Sequence, residues 1–185
     1  MGNPARRKAT NPFYSSNKSH TPPFLSYLER REVMHTKEIA KIAIIAAMYA
    51  VITILVSPLA YGPLQFRVSE IMKPLALRGR TYIIGLTLGL LLANLLSPFG
   101  GPWELIWMPL VCLSGGVITH RLKKRPFIAI TFYSAWIAAG VSVVLFMVLG
   151  LPVYITLPGI FVSEIILMGI GVGLIEGLLR RSGQA

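Results

Sequence analysis

Aspartate is missing altogether, and the seven acidic residues of this 185-residue chain are all glutamate. Charged residues make up only 14% of the sequence, against roughly 25% in an average soluble domain. A chain that is 54% hydrophobic, with a mean hydropathy of +0.66 and long apolar runs, falls among polytopic membrane proteins. Cys112 is the single cysteine and lies in an apolar run. It excludes an internal disulfide and a cysteine-based metal site, and reads as a small packing residue. His20, His35 and His120 are far apart, in the tail or in a polar loop. No G-x-x-x-x-G-K-[ST], H-E-x-x-H or G-x-S-x-G string occurs, so the chain has no evident ATPase, zinc-hydrolase or serine-hydrolase chemistry. The sequence calls for no cofactor and no metal. Nor does a pair of inverted halves appear, as many self-sufficient transporters would show.

The net charge of +11 invites a nucleic-acid reading, which the placement of the charge argues against. The basic residues stand before and between apolar runs, where they act as topology signals. Residues 1–36 are polar, basic and rich in Ser, Asn and Pro, so a disordered tail is expected, with a short helical turn around "FLSYLERREVM". Met34 directly precedes the first apolar segment and is a candidate for the true start.

Six apolar segments follow, at 38–57, 69–78, 82–97, 103–120, 127–150 and 155–178. A perpendicular crossing needs about 20 residues, so the second and third are too short without help from flanking residues, and Pro74 interrupts the second. Six helices still fit better than four. Lys and Arg fall before the first segment, at Arg78 and Arg80, at Arg121, Lys123, Lys124 and Arg125, and at Arg180 and Arg181. Counting six segments puts all of these on one face, and "SPFGGP" and "GLPVY" on the other have none. The positive-inside rule then makes both termini cytoplasmic. The expected architecture is an all-α membrane domain over residues 37–180, with a short cytoplasmic tail at 181–185.

Small residues recur at helical spacing. Ala43, Ala46, Ala47 and Ala50 line one face of the first helix, Gly85, Gly89, Ala93 and Ser97 form a ladder in the third, and Gly169, Gly173 and Gly177 in the sixth. Such faces let helix backbones approach closely. Packing within the chain is the expectation for helices three and six. For helix one, an internal face and an interface with another subunit are evenly matched.

Polar residues collect at one depth, near the outer ends of several segments. Arg67 and Glu70 open the second, Asn94 lies a turn before the end of the third, and Trp103 and Glu104 open the fourth. Glu164 sits about two turns into the sixth, and Tyr61, Gln65 and Trp107 lie at similar depth. Polar groups converging from several helices would make a small-ligand pocket open to the outside. Blander readings stand beside it. Arg67 and Glu70 can neutralise each other at i,i+3, Glu104 can face the headgroup layer, and the tryptophans can form an interfacial belt. Lys73, just before Pro74, can snorkel. Glu164 resists a bland reading, because no basic residue lies within a turn of it and a buried carboxylate needs a partner. Arg67, Lys73 and a ligand are the candidates. Glu176 can pair with Arg180 at i+4.

"YGPLQFRVSE" followed by "GLTLGLLLANLLSPFGGPWEL" resembles the signature of the queuosine-precursor transporter (QueT) family, over residues 37–180. The resemblance implies a substrate-binding S component of an energy-coupling factor (ECF) transporter: a six-helix S-component-like bundle with both termini inside, in a prokaryotic cell membrane. It also implies a coupling transmembrane protein and two ATPase subunits as partners. In that family of folds an Ala-x-x-x-Ala face of helix one docks the coupling protein, and Ala43–Ala47 and Ala46–Ala50 match it. The start of helix four departs from the family, which more often has an Asp followed by small residues where this chain reads "WELIWMPLVCLSGG".

The implied ligand is a deazaguanine, whose base edge offers two adjacent N–H donors and a carbonyl acceptor. A carboxylate accepts from both donors, while Asn, Gln or Arg serves the carbonyl. Glu70 or Glu164 is expected to read that edge and Arg67 to orient it, within a substrate set of Gln65, Arg67, Glu70, Asn94, Trp103, Glu104 and Glu164. The alternatives are another vitamin-like ligand on the same fold, a partner-independent membrane facilitator, and a structural subunit without ligand.

Overall fold

A computed structural model describes residues 23–57, 66–97 and 101–181, with side chains from residue 35 onward. The expectations for residues 1–22 and for the tail after Arg181 fall outside the described residues. The chain divides into two compact units, Met1–His35 and Thr36–Ala185, and the second holds the candidate site.

Six helices account for the regular structure among the described residues: α1 (Pro23–Leu55), α2 (Val68–Arg78), α3 (Arg80–Leu95), α4 (Met108–Arg121), α5 (Pro126–Leu149) and α6 (Val153–Arg181). A π-helical turn, Trp103–Trp107, leads into α4. Three spans are long and apolar enough to cross a membrane: His35–Leu55 of α1, Pro126–Leu149 of α5 and Val153–Leu178 of α6. Their exposed Leu, Ile and Val side chains are the complement of a lipid solvent, not of water.

The short second segment solves its length problem by changing its winding. All 11 residues of α2 form a 3-10 helix, which rises about 2.0 Å per residue and so reaches about 22 Å, where an α-helix would reach about 16 Å. A run this long is uncommon because its hydrogen bonds are poorer. Here α2 packs against α3, α4 and α6 and hydrogen-bonds to α1. Backbone away from α geometry is tolerated at membrane depth where protein surrounds it.

Winding at about 3.0 residues per turn also stacks every third side chain. Arg67, at the N-cap, and Glu70, Lys73 and Ala76 form one column, and all four are buried. In an α-helix the same positions would drift about 60° per step and turn one end of the column towards lipid. Lys73 is fully buried, so the snorkelling reading is set aside. Gly79, at φ +153° in the region that suits glycine, ends α2 and starts α3.

Close helix approach falls partly where the small residues predict it. Gly85 and Gly89 of α3 press on Ile45, Ala46 and Tyr49 of α1, with a Gly89 β-carbon position only 2.8 Å from the Ala46 carbonyl oxygen. The α6 ladder behaves otherwise. Gly169, Gly173 and Gly177 are exposed and have nothing within 4 Å of a β-carbon, which corrects the expectation that they pack within the chain. The glycine of α6 that does pack is Gly171, against the Ile71 carbonyl and Pro74 of α2. It lies on the opposite face of the helix from the ladder, the face on which Glu164 and Leu167 are also buried.

Candidate functional site

The charged column of α2 is met by one polar group from each neighbouring helix. At its N-terminal end Arg67 lies 3.5 Å from Glu104 Oε1 and donates to Asn94 Oδ1 at 3.2 Å. Asn94 in turn donates from Nδ2 to the Glu104 backbone carbonyl at 2.8 Å. This triangle ties α2, α3 and the π-turn together. The π winding fits these contacts, because the Glu104 carbonyl accepts from Asn94 and the Met108 N–H reaches past it to Trp103 O. The turn leaves Glu104 buried between exposed Trp103 and Trp107, so the headgroup-facing reading of Glu104 is overturned.

One step down the column, Glu70 takes a hydrogen bond from the Tyr49 hydroxyl of α1 at 2.5 Å and an ion pair from Lys73 at 3.0 Å. Glu70 therefore pairs with Lys73 and not with Arg67, against the self-neutralising i,i+3 reading. Beside them the hydroxyls of Thr53 and Ser69 are 2.7 Å apart. Lys73 Nζ also lies 5.1 Å from the Tyr133 ring centroid, a cation–π distance. That ring is fixed by its own hydroxyl, which donates to the Cys112 carbonyl at 3.0 Å.

Glu164 of α6 completes the cluster. It is buried, with Glu70, Lys73 and Arg67 as its neighbouring charges and the Glu70 carboxyl close enough to share a hydrogen bond. Its Oε2 has no hydrogen-bond partner among the described residues. Three glutamates face Arg67 and Lys73, so the buried group holds one acid more than it has bases.

Of the residues expected from sequence, Arg67, Glu70, Asn94, Glu104 and Glu164 come together. Trp103 is 41% exposed and Trp107 38% exposed, and Trp107 Nε1 donates to the Gly140 carbonyl at 3.2 Å. Tyr61 and Gln65 lie outside the described residues. On α1, Ala46 and Ala50 are buried, whereas Ala43 and Ala47 are exposed. Tyr49, Thr53, Ser69 and Tyr133 are additions that sequence reading missed. The available signal was a Tyr and a Thr four residues apart in the stretch 42–56, which has no other polar side chain.

Comparison with known proteins matches residues 39–180 to the family model for the QueT transporter. A curated relative, the queuosine precursor transporter QueT of Lactococcus lactis subsp. cremoris, is 36% identical over 100 residues. That alignment covers 50% of this chain and spans little more than half, 57%, of the relative. No solved structure matches the chain. With its long apolar helices and a family match over most of its length, the chain is a membrane protein that belongs to the QueT transporter family.

Proposed function

We propose that this chain is the membrane-embedded substrate-capture subunit of an ECF-type importer and binds a queuosine precursor of the 7-deazaguanine class. The observation that carries the reading is the unbalanced buried cluster, with a Glu164 oxygen left without a hydrogen-bond partner among the described residues. Buried carboxylates are costly unless something compensates them. A base edge with two adjacent N–H donors is such a compensator, and an aminomethyl substituent would answer the acid in excess. Glu164 and Glu70 are assigned to the donors of the ligand, Arg67 and Asn94 to its carbonyl, and Glu104 to holding Arg67 in place. Trp103 belongs to the outer mouth of the same site, and Gln65, outside the described residues, stays in the proposed substrate set. The name of the Lactococcus relative supports this choice of ligand.

Both termini lie in the cytoplasm in this reading, because the basic loops share one end of the bundle. The exposed Ala43 and Ala47 of α1 face the coupling protein, with Ala46 packed against Gly89 of α3 behind them. ATP hydrolysis belongs to the partner ATPases.

The test is to purify the detergent-solubilised chain, identify any co-purifying small molecule by mass spectrometry, and titrate an aminomethyl deazaguanine against Glu164→Gln. Binding that weakens at least tenfold supports the proposal. Absence of any ligand-induced thermal shift, in a protein that is otherwise folded, would overturn it.

A further inference from the structure

Where α3 begins and α4 ends, basic groups of a different chemistry from the polar cluster gather. A cavity of about 260 Å³ opens between α3 and α4, with Arg80, His120 and Arg121 among its lining residues. Arg80 is the first residue of α3 and Arg121 the last of α4. The α3 N-terminus has no side-chain cap and adds the positive end of its dipole. The His120 ring is held in place by Nδ1, 3.2 Å from the Leu77 carbonyl. No acidic residue lines this cavity. Its remaining walls are Ile83, Ile84, Leu113 and Val117, of which Ile84, Leu113 and Val117 are exposed on the outer surface of the bundle.

The apolar walls do not stop there. A second cavity, of about 470 Å³, shares Leu113 and Val117 with the first and continues along α4 past Leu110 and Val111 to Trp107 and Trp136. The two cavities meet at Leu113 and Val117 on the exposed face of α4, and taken as one groove they have arginines at one end and apolar and aromatic walls at the other. From Trp107 to Arg121 it follows about 21 Å of helix, more than one leaflet of a hydrocarbon core about 30 Å thick.

We infer that this groove is a binding site for one anionic phospholipid, its phosphate between Arg80 and Arg121 and one acyl chain along Leu113 and Val117 towards Trp107. A free phosphate would use the arginines and leave the apolar groove unexplained. A zwitterionic lipid would bring its own cation towards two guanidinium groups. Basic pockets between helices at a membrane face are suited to anionic headgroups.

The site stands apart from the substrate proposal, because lipid retention is read without any substrate. The experiment is native mass spectrometry of the purified full chain, exchanged into detergent with equal phosphatidylglycerol and phosphatidylcholine. One phosphatidylglycerol should remain bound. The double variant Arg80→Gln/Arg121→Gln should weaken its retention about thirtyfold, from the contribution of two basic groups near the surface. Val117→Trp, which keeps both arginines and fills the groove, should also displace it. Equal retention of the two lipids, or loss of neither on these substitutions, overturns the inference. So does full competition by inorganic phosphate or glycerophosphoglycerol at the same concentration, which would make it a phosphate site without an acyl chain.

Discussion

Gly171 of α6 meets the backbone carbonyl of Ile71 in α2 so closely that a β-carbon on the glycine would lie well inside contact distance. The contact has a cause in the sequence. Pro74 has no N–H, so the three-residue hydrogen bond that would close on Ile71 in a 3-10 helix is missing. The hydrogen that stands where Gly171 lacks a side chain faces that oxygen, in the manner of a weak Cα–H···O contact.

Gly171→Ala should therefore force α2 and α6 apart, at a cost of about 1–3 kcal/mol or more. Gly173→Ala, two residues on and facing open space, should stay within about 0.5 kcal/mol of the parent. Thermal unfolding of the two variants in the same detergent decides it. Equal melting temperatures would mean that the α2–α6 contact is not a close one.

Lys73→Met should destabilise the fold by about 3–5 kcal/mol, because it leaves the buried Glu70 carboxylate without its cation. Adding Glu70→Gln should restore much of the loss, as removal of the second charge removes the penalty. A double-mutant cycle on the unfolding free energy reads the coupling directly. Additive effects would show the 3.0 Å pair to be energetically idle.

Asn94→Ala removes an acceptor from Arg67 and a donor from the Glu104 carbonyl at once. Each buried group left unsatisfied costs about 1–3 kcal/mol. Asn94→Asp keeps the acceptor but puts a second carboxylate beside Glu104, so it should be no milder. Melting curves and hydrogen exchange of the Leu95–Ser97 and Trp103–Trp107 segments would register the loosened triangle, and protection like that of the parent would count against it.

Glu164→Gln should separate stability from binding. Replacing an under-satisfied buried carboxylate by a neutral amide should leave the melting temperature unchanged or raise it. Ligand affinity should fall at least tenfold in the same protein. A variant that melts early and binds normally would make Glu164 a structural residue.

Much of this was legible in the sequence, and the remainder was hidden for physical reasons. Hydropathy located α1, α5 and α6, because a lipid solvent demands long apolar runs. Spacing and depth singled out Arg67, Glu70, Asn94, Glu104 and Glu164, because charges in such runs have few places to go. What stayed hidden was who pairs with whom. The Glu70–Lys73 pair follows from a winding that four surrounding helices impose on α2, and no local propensity encodes it. The Tyr49 partnership needed the rotation of α1 against Gly85 and Gly89 of α3. The α6 ladder misled for the same reason: spacing identifies a face but not what the face meets.

Counted at formal charge, Glu104, Arg67, Glu70 and Lys73 alternate in sign along the α2 column and sum to zero. Seen from several ångströms away, such a string has no monopole, and its higher multipoles fade faster with distance than a single charge does. What survives is Glu164. Glu164 on α6 is the acid left over from that pairing, so its ionisation alone would decide whether an approaching solute or ion meets a net charge, while the four paired groups act only on whatever has already arrived.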